Sequence, residues 1–188
     1  LSLSARVKVE GDENPLNDLS KSMHLTVLDE KDAIVRIGKN THSPSLFPFS
    51  FEGFYYNYSQ SIYLAEEINV SGGYISDVYY FYNNRSNQDL LRKPVRLYMG
   101  NTWFASSLDG WVGFSELTKV FDGFIDLKDG EHYLHYSIEK PFSYNGGNLC
   151  IMNEKHRDGT IANVTFRGTE DEDAIRSVYI SNDNGAID

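Results

Sequence analysis

From Ala33 onward the chain is a succession of short segments in which apolar and polar residues alternate, separated by clusters of Gly, Asn, Asp and Ser. Alternation with a period of two places successive side chains on opposite faces of an extended backbone, which is the pattern of a half-buried strand. Helical periodicity is sustained nowhere over ten residues. Such a chain is expected to be all-β. The candidate strands are Ser61 to Leu64, Tyr74 to Tyr82, Val95 to Met99, Val120 to Leu127, Tyr133 to Ile138, Leu149 to Met152, Asn163 to Phe166 and Val178 to Ile180. Ser71-Gly72-Gly73, Asn83 to Asn87, Gly100-Asn101-Thr102, Lys128-Asp129-Gly130, Tyr144 to Asn148 and Arg157-Asp158-Gly159 supply turn residues that tolerate positive φ. An eight-stranded antiparallel β-sandwich of jelly-roll type, over residues 33 to 182, is the expected solution. The one expected turn of helix lies around Ser115 to Lys119, with Ser115 as N-cap.

Residues 1 to 30 read separately. Leu1 to Val9 and Met23 to Leu28 alternate on either side of the turn cluster Gly11-Asp12-Glu13-Asn14-Pro15, which makes a β-hairpin with a long loop. A lone hairpin is marginal in water and needs a sheet to join. It is expected to be the closing hairpin of an immunoglobulin-like domain cut from a longer polypeptide, or else strands recruited into the main domain. The charged link Asp29-Glu30-Lys31-Asp32 marks the expected boundary.

At 188 residues the chain has room for one large β domain plus a fragment, and its 13 Tyr and 11 Phe supply ample apolar surface for a core. Acidic residues number 27 against 17 basic ones, a net charge of −10. That balance argues against nucleic acid or an anionic membrane as partner, since both require a positive field at close range. No run is long and apolar enough for a membrane helix. A single cysteine, Cys150, excludes an intramolecular disulfide. The richness in Tyr, Asn and Gly points to an extracellular or cell-surface setting.

Chemistry-bearing residues are few. In Tyr74 to Tyr82 the alternation sends Tyr79 and Phe81 one way and Val78, Tyr80 and Tyr82 the other. One face makes core; the other either presents Tyr rings to a sugar or protein, or is covered as well. Trp103 and Trp111 bracket a polar loop that contains Asp109 and Gly110. Exposed indoles beside polar groups stack on sugar rings or anchor protein interfaces, although Trp in a sandwich also serves as core. The expected ligand-binding set is Trp103, Trp111, Asp109, Tyr82 and Tyr144. No catalytic residue is assigned. Glycoside hydrolysis needs two carboxylates across a cleft, and Glu66, Glu67, Glu116 and the run Glu170 to Asp173 do not define such a pair by spacing. His132 and His135 fall on opposite faces of a strand, so they do not chelate zinc. His24, His42 and His156 are scattered. Cys150 lies between Leu149 and Ile151 and reads as a buried structural thiol. No cofactor is expected beyond a structural Ca²⁺, for which Asp- and Asn-rich loops can supply oxygen ligands.

Tyr58 to Ile68, Ser71 to Ile75, Arg96 to Thr102, Val120 to Gly123 and Pro141 to Leu149 together resemble a β-sandwich module of large secreted bacterial surface proteins, the adhesin regions of gingipain-type and hemagglutinin-type polypeptides and related secreted cysteine peptidases. The resemblance spans residues 36 to 182 and is carried by turns and core positions. It implies a jelly-roll accessory domain attached to a peptidase or adhesin, whose partners are host protein or glycan and neighbouring domains. The expected function is therefore a non-catalytic binding module. The alternatives are a structural spacer and, last, a carbohydrate-active enzyme.

Overall fold

The structure, a computed structural model, describes residues 2–3, 23–24, 33–39, 46–169 and 174–185. The chain forms two compact units, Leu1–Arg36 and Ile37–Asp188. In the first, β1 (Ser2–Leu3) pairs antiparallel with β2 (Met23–His24), Ser2 opposite His24 and Leu3 opposite Met23. The rest of the expected hairpin, and the boundary at Asp29 to Asp32, lie outside the described residues.

The second unit is a β-sandwich. Its strands are β3 (Tyr56–Tyr63), β4 (Gly73–Asn84), β5 (Leu90–Thr102), β6 (Thr118–Leu127), β7 (Gly130–Tyr144), β8 (Asn148–Lys155), β9 (Val164–Phe166) and β10 (Ser177–Asn182). Each contains or overlaps one of the candidate strands. A five-stranded sheet runs β10-β3-β8-β5-β6 and a three-stranded sheet runs β7-β4-β9, all neighbours antiparallel. Only the β5–β6 connection joins neighbours within one sheet; every other link from β3 to β10 passes from one sheet to the other. Residues remote in sequence are thereby set side by side.

Alternation drives the layering. Along β7, Leu134, Tyr136, Ile138, Phe142 and Tyr144 are buried while the residues between them face out. They meet Val95, Leu97, Met99, Leu127, Leu149 and Ile151 of the larger sheet, and Phe49, Phe51, Tyr82 and Phe166 fill one core with them. Pro141 is tolerated in β7 because β7 is an edge strand.

Among the described residues, three short helical turns interrupt the sheets. Ala65–Ile68 forms α1, with the Leu64 amide donating to Glu67 Oε2 at 2.8 Å and Asn69 in the left-handed conformation at its end. Two 3-10 turns follow, Ser107–Asp109 and Phe114–Glu116. The second corrects the sequence expectation: Gly113 is its N-cap and Ser115 lies inside it, because the chain turns as soon as it leaves the buried Val112.

Candidate functional site

The β5–β6 connection, Trp103 to Leu117, folds back over the outer face of the five-stranded sheet. What fixes it there is a second, smaller core. Val112 packs against Ile62 of β3 and Cys150 of β8, with Leu64, Phe104 and Leu117 around them. Beneath it, Gln60 of β3 is buried and holds both backbone groups of Val112: Val112 N donates to Gln60 Oε1 at 2.9 Å, and Gln60 Nε2 donates to Val112 O at 2.7 Å. Asn148 Nδ2 donates to Phe104 O at 2.9 Å, and Ser107 N donates to Ile175 O at 2.7 Å. Gly100 permits the close approach of the returning limb, since a Cβ there would sit 2.8 Å from both Glu116 O and Leu117 Cδ2. Gly100→Ala is therefore expected to push Glu116 and Leu117 off the sheet, and faster hydrogen exchange at the Val112 amide in that variant is the check.

Because Phe104, Val112 and Leu117 point inward, the intervening large side chains point out. Trp103 is 76% exposed and Trp111 44%, and Leu108 and Phe114 are exposed too. Trp103 packs edge-on against Phe104, ring centroids 4.5 Å apart. Trp111 and Phe114 wall a cleft of about 230 Å³, closed by Tyr58, Met152, Tyr179 and Ile180. Phe114 meets Tyr58 and Tyr98 edge-on, at 6.5 and 5.7 Å.

Next to the cleft the register aligns Tyr58, Glu154, Arg96 and Asp122 in one row across β3, β8, β5 and β6. Glu154 is buried. Its carboxylate accepts from Arg96 Nη1 at 3.1 Å and from the Tyr98 hydroxyl at 3.1 Å, and Tyr58 OH lies 3.5 Å away. Arg96 Nε reaches Asp122 Oδ2 at 3.2 Å, and Lys119 Nζ reaches the same oxygen at 2.6 Å. Burial, reinforced by the Glu154 charge, pushes the Tyr98 phenol up to about 12. The hydrogen bond from Lys119 holds Asp122 below the usual carboxylate range. Carboxylates, guanidinium and phenols are thus fixed against one another beside an apolar slot.

The structure distributes the expected ligand set unevenly. Trp111 lines the cleft; Trp103 stands on the same loop without lining it. Asp109 is exposed, but its Oδ2 accepts from the Ala105 and Ser106 amides, so it caps the 3-10 turn. Tyr82 and Tyr144 are corrections. Tyr82 is 1% exposed, packed near Phe166, and Tyr144 is 5% exposed, with its hydroxyl donating to Gly147 O at 2.5 Å. Both sit on inward positions of their strands, where the sandwich covers the rings. The outward rings of β4 include Tyr74, Tyr79, stacked on His135 at 4.3 Å, and Phe81, edge-on to Tyr133 at 5.0 Å. His135 Nε2 meets Asp77 Oδ1 at 2.6 Å.

Tyr58, Gln60, Met152, Tyr179 and Ile180 were not singled out by sequence. Phe114, three residues after Trp111, was not singled out either. Cys150 is fully buried, and burial raises its thiol to about 12. Among the described residues no three His, Cys, Asp or Glu side chains converge as metal ligands. The Glu170 to Asp173 run lies outside those residues. Comparison of the chain with protein-family models, curated proteins and solved structures returns no match.

Proposed function

We propose that this chain is a non-catalytic extracellular binding module of a larger exported polypeptide, contacting host protein or glycan through the Trp103 to Leu117 loop. The observation that carries the reading is a loop with four large apolar side chains exposed, Trp103, Leu108, Trp111 and Phe114, on a backbone tied to β3 and β8. Large exposed aromatics normally invite self-association. Trp111 and Phe114, held at the wall of the cleft, lose little conformational entropy when a ligand seats, which is the condition for useful affinity. On this reading the sandwich is a jelly-roll accessory domain, as in the adhesin regions its motifs resemble, and the β1–β2 pair belongs to an immunoglobulin-like neighbour.

A glycan array and a panel of extracellular-matrix proteins, probed with the wild type and with Trp103→Ala and Trp111→Ala, test the proposal. Saturable binding is expected, weakened at least about tenfold by Trp111→Ala because a buried aromatic anchor is worth 2 kcal/mol or more. Binding that both substitutions leave unchanged moves the site elsewhere, and no binding on either surface favours a spacer that only orients its neighbours.

A further inference from the structure

The strand that closes the cleft on one side is also the edge of its sheet. β10 pairs with β3 alone, and among the described residues nothing continues the ladder beyond it. The direction of its backbone groups follows from one hydrogen bond. Ile62 N donates to Arg176 O at 2.8 Å, and the register places Arg176 opposite Ile62, which makes theirs a hydrogen-bonded pair. Alternation then turns the main-chain groups of Val178, Ile180 and Asn182 toward β3. It turns those of Ser177, Tyr179 and Ser181 outward. Tyr179 and Ile180 are themselves exposed and border the cleft with Trp111 and Phe114, Ile180 on the face of Tyr58 and Tyr179 with its ring edge-on to Phe47 at 5.5 Å.

Two features therefore lie together: a row of outward N–H and C=O groups at strand spacing, and an apolar slot large enough for one side chain. A ligand that satisfies both has an extended backbone with its apolar side chains on alternate residues. We infer that β10 and the Trp111 cleft form a strand-addition site, which takes an extended basic segment of a partner protein as an additional strand. This rests on the binding-module reading and names its ligand class. The basic character follows from charge: the chain carries −10, so lysine or arginine at the outward positions of the incoming segment is attracted, whereas a second copy of this chain is repelled.

Short synthetic peptides of alternating apolar residues and lysine, followed by fluorescence anisotropy, supply the probe. Saturable binding is expected, with about tenfold loss on Trp111→Ala. The Tyr179 amide faces away from β3, so Tyr179→Pro removes an outward donor without touching the ladder to β3. Tyr179→Ala removes the same ring and keeps the donor. About tenfold weaker binding by the Pro variant than by the Ala variant is the expected result. N-methylation of alternate peptide nitrogens, measured on the unaltered protein, should abolish binding in one of the two phases and spare it in the other. Equal losses for Pro and Ala with indifference to N-methylation overturn strand addition, as does equal affinity for glutamate-bearing peptides. Self-association in sedimentation that Tyr179→Pro abolishes also overturns it, by making a second copy the occupant. Absence of peptide binding alongside Trp111-dependent glycan binding overturns the strand-addition site and leaves the binding module standing; absence of both sinks the two together.

Discussion

Lys155→Met should lose about 2 kcal/mol of stability or more, measured by urea unfolding, although it exchanges one fully buried side chain for another of similar length. Lys155 ends β8 with no exposed surface, its Nζ donating to Phe54 O at 2.9 Å and to Asp158 O at 2.7 Å, over the Phe51 ring at 5.3 Å. The segment that turns away from β8 is thus gathered around an ammonium of the chain's own. Lys93 completes the cluster, its Nζ at 2.6 Å from Thr160 Oγ1 and 3.4 Å from Asp158 Oδ2. Methionine keeps the stem and its packing but offers no donor, so two carbonyls lose their partner at once. The deficit should depend on pH with a definite sign. Burial, opposed by Asp158, lowers the Lys155 ammonium to about 8 from the ordinary 10.5. Between those values the unfolded chain holds a proton that the folded chain has released, so folding of the wild type gains with rising pH. Below about 8 both states are protonated and the gain vanishes. A neutral amine still donates to both carbonyls. The gap between wild type and Lys155→Met is accordingly smallest below pH 8 and widens toward pH 10.5, which paired unfolding curves would show; a gap that narrows over that range contradicts this account.

The same strand shows where a sequence stops being informative. All eight strands of the sandwich could be located because alternation and turn clusters are local signals; the same rule separated the two faces of β4 without saying which is inward, and Tyr82, expected at a ligand, is buried. Strand ends were less visible. β8 was expected to finish at Met152, yet the polar residues that extend it, Asn153, Glu154 and Lys155, are all buried. Charged residues are so rarely buried that only the partners brought by other strands reveal the assignment. β3 was expected to begin at Ser61, which left out Tyr58 and Gln60. Those two residues build the floor of the cleft and hold its roof. The cleft itself collects Tyr58, Trp111, Met152 and Ile180 from segments that only sheet-to-sheet crossings bring together, and no spacing in the sequence records that.

Arg96→Met should cost more stability than Glu154→Gln, and the order follows from what each substitution leaves behind. Glu154 is 3% exposed and Arg96 32%. Removing Arg96 leaves a buried carboxylate held by the Tyr98 and Tyr58 hydroxyls but without its guanidinium, and breaking a buried charge pair costs about 3 to 5 kcal/mol. Removing the Glu154 charge leaves a guanidinium that reaches solvent and keeps Asp122 at 3.2 Å, so about 1 to 2 kcal/mol is expected, the range for a charge-assisted hydrogen bond weakened to a neutral one. The pair Arg96→Met with Glu154→Gln should recover much of the larger loss, because the neutral amide no longer needs a counter-ion; their interaction free energy in a double-mutant cycle is then clearly favourable. Tyr98 provides a readout beyond stability. Its phenol is raised first by burial and then by the adjacent Glu154 charge, so ultraviolet titration of Glu154→Gln should find a tyrosine ionising below its wild-type position near 12. Equal destabilisation by the two single substitutions, with Tyr98 unmoved, would mean that the row from Tyr58 to Asp122 is held by packing and not by charge.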